Sequence, residues 1–595
     1  MPENLLIRIV CWSAAIALVV GCQSLRRGPE LPEARSTQAH LDLAKWNRKP
    51  DCCEARGRQL AIAAEGVHAA SSAVDTHAAG GSPVDAAIAA AFVLAVERPY
   101  SMGLGGGGFL SISLPAKGGK PAEAVFLDFR ETAPHEAMRD MYLDRRGQIV
   151  PGKSENGALA VATPGFVAGM REAHRRWGKL PWKKLVAPAI RLAEGGFLVF
   201  PSFAERTGGM REKLSANAYM RKLFLKSDGS AYKAGERFRQ PDLARTLRRI
   251  SEDPDVFYRG ELAGRIAEFI RAEGGILDRL DLDHYEVRVR EPLRWEWGGY
   301  TFLGAPPPSA GGVVMAEVLQ VIEPFSLALE GRYPQGYTHL LSQAFKHAYA
   351  DRSTLVGDPD FVDMGFRKML DRGHADTIRG RLDLKRNRPS AEIAPLVPVK
   401  QTPGTVHLSL LDSEGVAVAA TLTINGPFGA GLAVPGTGIV LNNEMDDFSA
   451  KPGTGNVYGL TGSDANAIAA NKRPVSSMSP TIVLQGGSPV LVTGGAGGSR
   501  IITETLQVVL NALVHFPGEP RRAVFAPRMH HQWLPDRLDL EAGLPPEVVA
   551  GLVESGHEIQ SPPPWTARVQ LVQRLPDGTL VAVHDPRDYG GAVAR

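Results

Sequence analysis

Gln401-Thr402-Pro403-Gly404-Thr405-Val406-His407-Leu408-Ser409-Leu410 is the stretch whose reading decides the fold. Pro403 and Gly404 favour a turn. After them the side chains alternate, with Val406, Leu408 and Leu410 on one face and His407 and Ser409 on the other. That is the period-2 pattern of a β-strand. It resumes after the turn Asp412-Ser413-Glu414-Gly415 as Val416-Ala417-Val418-Ala419-Ala420. Thr405 thus opens a core strand directly behind a linker, because periodicity vanishes and prolines appear between Arg388 and Gly404. Scission between Gly404 and Thr405 would free an α-amino group beside the threonine's own hydroxyl. An amine of near-neutral pKa can act as general base for that nucleophile. A threonine at a strand start is more often structural, so the decision falls to the motifs around it.

Downstream lie Thr421-Leu422-Thr423-Ile424-Asn425, then Asn442-Asn443-Glu444-Met445-Asp446-Asp447-Phe448. Arg473-Pro474-Val475-Ser476-Ser477-Met478-Ser479-Pro480-Thr481 and Gly494-Gly495-Ala496-Gly497-Gly498-Ser499 follow. In this order the motifs resemble the small subunit of the γ-glutamyltransferases (glutathione hydrolases). The resemblance continues upstream through Gly80-Gly81-Ser82-Pro83-Val84-Asp85, the glycine run 103–108, Asp128-Phe129-Arg130-Glu131 and Ala350-Asp351-Arg352-Ser353. It reaches Asp585-Pro586-Arg587 and covers the chain after about residue 60.

The resemblance implies an α+β fold, the four-layer αββα sandwich of the N-terminal-nucleophile hydrolases. A precursor would cut itself between Gly404 and Thr405, leaving a large subunit (58–404, behind a tether 22–57) and a small one (405–595) that fold as one unit. Thr405 would be the nucleophile, with Thr423 bonded to its hydroxyl. Gly497 and Gly498 would offer backbone N–H groups to an oxyanion. Arg130 with Ser476 and Ser477 would hold the α-carboxylate of a γ-glutamyl group, and Asn425, Glu444 and Asp447 its ammonium. Glu444 and Asp447 stand three apart, a spacing that turns both to one side of a helical turn. Tyr458, in the stretch Lys451–Lys472 resembling a substrate-covering lid, would wall the pocket. Glutathione and other γ-glutamyl compounds would be donors, and water, amino acids or dipeptides the acceptors. No cofactor is implied, and no metal, since no histidine accompanies the acidic pair.

Bulk properties agree with an enzyme of this kind. The 595 residues are 44% hydrophobic and 22% charged, which suits a globular protein with ample core. With 67 basic and 64 acidic residues the charge is nearly balanced, so no nucleic-acid partner is indicated. Arg8 precedes an apolar run from Ile9 to Gly21 that ends at Cys22. This resembles a bacterial lipoprotein signal (1–21) with Cys22 lipidated, giving a periplasmic or outer-membrane-anchored enzyme; a plain signal peptide or uncleaved anchor is the alternative. Cys52-Cys53 is a poor metal pattern and reads as a bystander in a loop.

Ser82-Pro83-Val84-Asp85 signals a helix start, and the helix it opens is apolar nearly all round through Glu97. The glycine run 103–108 lacks the lysine and following helix of a phosphate loop. Phe109–Leu114, Val125–Phe129, Tyr285–Arg290 and Tyr300–Gly304 read as strands, 163–275 as a mainly helical outer layer, and 313–322 as a helix. For Ala350-Asp351-Arg352-Ser353 and Gly357-Asp358-Pro359 an internal salt bridge is the preferred reading, and His407 reads as structural. Two other functions remain open from the sequence. One is a related acylase for glutaryl or β-lactam side chains, which would have no use for ammonium ligands; the other is an unprocessed, inactive binding homologue.

Overall fold

The computed structural model describes residues 53–325, 327, 335–363, 365–393, 404–451, 454–455 and 462–595. Two seven-stranded antiparallel sheets face each other. One runs in the order Gly591–Ala594, Leu60–Ala64, Val406–Asp412, Ala417–Thr423, Gly107–Leu114, Glu123–Phe129, Arg288–Arg290. The other runs Glu54–Gly57, Leu580–Val583, Arg568–Arg574, Ser488–Ala496, Thr481–Gln485, Tyr300–Gly304, Leu293–Trp297. Helices Val67–Ala78 and Pro83–Glu97 cover the first sheet. Gly311–Ile322 and Arg500–Leu510 cover the second, with Gln335–Leu355 packed on Gly311–Ile322. This is the expected αββα sandwich.

The strand after Thr405 is buried along its whole length. Val406, Leu408 and Leu410 pack into the helix-facing core with Val84, Ile88 and Leu110. The opposite face turns to the other sheet rather than to water. There Leu411 meets Ile482, Val492 and Val572, and Ser409 Oγ donates to the Gln570 carbonyl at 3.3 Å. His407 sits between the sheets, its Nδ1 2.8 Å from Thr421 Oγ1 and its Nε2 3.0 Å from Ser409 Oγ. Burial pushes its pKa down to about 3, so the ring is a neutral structural bridge, as read from the sequence. Gly494 makes room for it: a Cβ there would lie 2.3 Å from His407 Cε1.

Helix Pro83–Glu97 begins as its sequence dictates. Asp85 N–H donates to Ser82 Oγ at 3.0 Å and Ser82 N–H to Asp85 Oδ2 at 2.9 Å, a reciprocal capping box. All fifteen of its residues are buried. Among the described residues no helix is long and apolar enough to cross a membrane.

Two expectations need correction. Glu54–Gly57, assigned to the tether, is a strand whose residues Glu54 to Gly57 pair with Val583 to Leu580. Its charged side chains lie at a sheet edge, so no apolar alternation announces it. Cys53, in the bend just before that strand, is buried in the core behind the second sheet. In 285–290 only Arg288–Arg290 is strand; Tyr285 instead sends its hydroxyl to the Arg130 carbonyl at 2.8 Å.

Candidate active site

Antiparallel pairing of Val406 with Leu422 sets Thr405 opposite Thr423 at the open end of the two central strands. The two hydroxyl oxygens are 3.2 Å apart. Asn425 N–H donates to Thr423 Oγ1 at 2.8 Å, which leaves the Thr423 proton free to point at Thr405. The Thr405 carbonyl accepts from Arg568 at 3.3 Å, and Arg568 is itself held by Glu65 at 3.1 Å. Thr405 has φ +92°, a region that β-branched residues avoid. Gly404 before it admits no side chain, since a Cβ would come 1.7 Å from the Asn425 carbonyl oxygen.

The glycine run has a packing role. Side chains at Gly105 and Gly106 would strike the Val440 and Thr423 carbonyls at 2.2 and 2.0 Å. A strand follows it, as expected, so no phosphate cradle forms. Asn442 fastens this loop to the acidic turn. Its Nδ2 donates to the Gly105 and Ala162 carbonyls, both at 2.8 Å, while its Oδ1 accepts from Glu444 N–H at 3.0 Å.

Arg130, Thr405, Thr423, Asn425, Glu444, Asp447, Ser476, Ser477 and Gly498 line one cavity together with Val475, Met478 and Ile501. Every described residue singled out for the site is therefore here or, like Gly404 and Gly497, next to one that is. Tyr458 and Cys22 lie outside the described residues. Gly497 (φ +147°) and Gly498 (φ +61°) bend the chain from strand Ser488–Ala496 into helix Arg500–Leu510. Backbone N–H groups at such a helix start can stabilise developing negative charge.

Arg130, 1% exposed, forms the floor. Its Nη1 donates to Glu444, its Nη2 to Asp447 at 2.5 Å, and its Nε and Nη2 to the Pro474 and Val475 carbonyls at 3.3 Å. The carboxylate-binding candidate is thus paired in this structure with the two ammonium-binding candidates. Burial opposes the guanidinium charge, but Glu444, Asp447 and Glu131 outweigh it and hold the pKa above the ordinary value. Glu131 is a member of this group that the sequence reading left without a role. It is fully buried, 3.8 Å from Arg130 Nη1, and burial pushes its pKa up to about 7 despite Arg130. Burial likewise raises Glu444, whose charge is also opposed by Glu131 and Asp447. Three carboxylates around one guanidinium retain a proton near neutral pH, and an ammonium ion can take its place. The signal for Glu131 was its position next to Arg130 at the end of strand Glu123–Phe129.

Ser476 is fixed by strand-like bonds to the Pro308–Ala310 segment, its N–H donating to the Pro308 carbonyl at 2.9 Å. Ser477 Oγ accepts from Arg352 at 3.3 Å. The motif does hold the internal ion pair expected, formed by Asp351, though Arg352 is not its partner. Successive helical side chains diverge by about 100°, and Asp351 turns instead to His374 Nε2 at 2.6 Å. Among the described residues, two groups have metal-ligand spacing, His135 with Asp278 and Asp281 and Glu317 with Asp351 and His374; neither includes a pocket residue.

The family described as gamma-glutamyltranspeptidase matches residues 69–595. The chain is 40% identical over 542 residues to the glutathione hydrolase proenzyme of Escherichia coli (strain K12), covering 91% of this chain and 92% of that one. Among solved structures, cephalosporin acylase from Bacillus halodurans superposes with a TM-score of 0.80 at 26% identity, covering 95% of this chain and 99% of that one. Helicobacter pylori γ-glutamyltranspeptidase gives 0.53 at 36% identity, over 55% of this chain and 93% of that one. A match that takes in all but one strand of each sheet, the threonine pair and the whole pocket lining has one meaning: the chain belongs to the γ-glutamyltranspeptidase family.

Proposed function

We propose that this protein is a self-cleaving γ-glutamyl transferase and hydrolase acting on glutathione-like donors. The observation that carries the proposal is the Thr405–Thr423 hydroxyl pair in a cavity also lined by one guanidinium, Arg130, and two carboxylates, Glu444 and Asp447. Thr405 Oγ attacks the Gly404 carbonyl; its proton passes to the departing Thr405 nitrogen as the C–N bond breaks. Water then hydrolyses the resulting ester, leaving residues up to 404 with a carboxylate and Thr405 with a free amine. In the mature enzyme that amine takes the hydroxyl proton as Oγ attacks the donor's γ-carbonyl. Gly497 and Gly498 N–H groups receive the oxyanion, and the proton goes on to the leaving amine. The γ-glutamyl ester is resolved by water or by the amine of an amino acid or dipeptide.

The donor's head is a zwitterion. Glu444, Asp447 and Asn425 receive its ammonium, while Arg130, Ser476 and Ser477 receive its carboxylate, so both buried charges are met. The acylase likeness supports a second reading in which a glutaryl group occupies the pocket. The acidic floor disfavours it, because a glutaryl group brings no cation. We also propose export with lipid on Cys22, supported by Arg8, the apolar run 9–21 and the cysteine that ends it; radiolabelled palmitate should enter the wild type and not Cys22→Ala.

Purified protein is expected to run as two fragments on a denaturing gel, the smaller beginning at Thr405, and to release glutamate from γ-glutamyl-p-nitroanilide, faster with glycylglycine. Thr405→Ala should remain one chain with turnover reduced at least about a thousandfold. Normal cutting of that variant would remove Thr405 from the mechanism, and preference for glutaryl-p-nitroanilide would favour the acylase.

A further inference from the structure

The proposed donor brings a carboxylate to a pocket whose one guanidinium is already occupied. All three Arg130 nitrogens are engaged by Glu444, Asp447 and two backbone carbonyls. A second guanidinium lies beside the pocket. Arg352, on helix Gln335–Leu355, is 6% exposed. Among the described residues no carboxylate lies within ion-pair distance of it, and its Nε has no hydrogen-bond partner. Among the described residues its side chain makes one hydrogen bond, to Ser477 Oγ at 3.3 Å. Arg98, Arg130, Arg473, Arg568 and Arg587 are also buried, and carboxylates hold each above the ordinary value. For Arg352 burial prevails and the shift is downward.

The hydrogen-bond polarity here is fixed by chemistry. A guanidinium only donates, so Ser477 Oγ accepts from Arg352 and its own proton must be given elsewhere. Ser477 lines the cavity, and a charge-assisted bond on its oxygen makes its O–H a stronger donor. We propose that Arg352 is a positioning residue for donor selection: it turns the Ser477 proton toward the donor's α-carboxylate and supplies the uncompensated positive charge at that end of the pocket. The proposal rests on the γ-glutamyl reading above. It gives the Ala350-Asp351-Arg352-Ser353 motif a division of labour, with Asp351 tying helices together through His374 and Arg352 serving the site.

The test compares two donors that differ only in the α-carboxylate, γ-glutamyl-p-nitroanilide and 4-aminobutyryl-p-nitroanilide. Arg352→Met keeps the volume and removes an unpaired buried charge, a change folds generally tolerate. It should be processed normally and raise KM for the γ-glutamyl donor about 10- to 100-fold, with kcat within about threefold. Its kcat/KM for the decarboxylated donor should stay within about twofold of wild type. Ser477→Ala should reproduce this selectivity loss, and the double variant should lose little more than either single one. Arg352→Lys should recover part of the affinity. Equal losses on both donors, or an unchanged KM, would overturn the proposal. If Arg352→Met is not processed, Ser477→Ala and Arg352→Lys decide: sparing of the γ-glutamyl KM in both sinks it. A wild type inert toward the γ-glutamyl donor would fail the underlying reading instead, a result separable from any variant's.

Discussion

Thr405 sits strained before any chemistry begins. A β-branched residue at φ +92° carries on the order of 1–3 kcal/mol. That torsion is defined by the Gly404 carbonyl carbon, so it ceases to exist when the bond is cut, and the relief favours scission. The neighbouring acids make a second residue-level prediction. Glu131, pushed up to about 7 by burial, and Glu444, also raised by burial with Glu131 opposing its charge, crowd one guanidinium. Ammonium binding requires those carboxylates ionised, so a product such as L-glutamate should inhibit more tightly as pH rises through about 7. Glu131→Gln removes the like charge that helps raise Glu444, and should move this inflection to lower pH by about one unit. A Ki–pH curve identical to wild type would exclude Glu131 from this titration. Using Ki rather than rate keeps the titration of the Thr405 amine out of the readout.

At the scale of elements, legibility followed the range of the interaction. Ser82-Pro83-Val84-Asp85 announced its helix because a capping box is written within four residues. The pairing of Thr405 with Thr423 was an expectation from the family resemblance alone; the register that realises it comes from two adjacent strands joined by a short turn. Glu54–Gly57 was not, because its partner strand is Leu580–Val583, at the other end of the chain. The role of Arg352 was not legible because its partner, Ser477, lies far along the chain. Glu317 is a comparable case, a carboxyl hidden in the apolar helix Gly311–Ile322. Burial pushes its pKa up to about 8, with Asp351 adding to the rise and His374 opposing it. The folded protein therefore holds a proton that the unfolded chain gives up above its ordinary 4.5. The resulting stability is complete below that value and is lost as pH climbs through about 8. His374, raised through Glu317, contributes with the same sign. Glu317→Gln should accordingly shrink the fall in melting temperature between pH 6 and 9 by a few degrees, read by calorimetry. An unaltered fall would show that Glu317 is not the titrating group.

At the scale of the molecule, the two proposed subunits share both sheets. In the first, Gly591–Ala594, Val406–Asp412 and Ala417–Thr423 come from after the cut, and Leu60–Ala64 lies between the first two of them. The second sheet places Glu54–Gly57 beside Leu580–Val583 and Thr481–Gln485 beside Tyr300–Gly304. Neither fragment has a complete core alone. The cut protein is expected to elute as one species in size-exclusion chromatography and to separate only in denaturant; separation in plain buffer would refute the shared fold.

The contact between the chain's end and the fold's first strands carries a further consequence. The Arg595 carbonyl accepts from the N–H groups of Arg58 and Gln59 at 2.8 and 2.6 Å. A reordered gene could therefore start at codon 405, pass through 595, and continue over a short flexible joint into 53–404. Trimming of the initiator methionine would then expose the reactive threonine on a polypeptide that had never severed itself. Such a permutant would uncouple maturation from turnover in a single experiment.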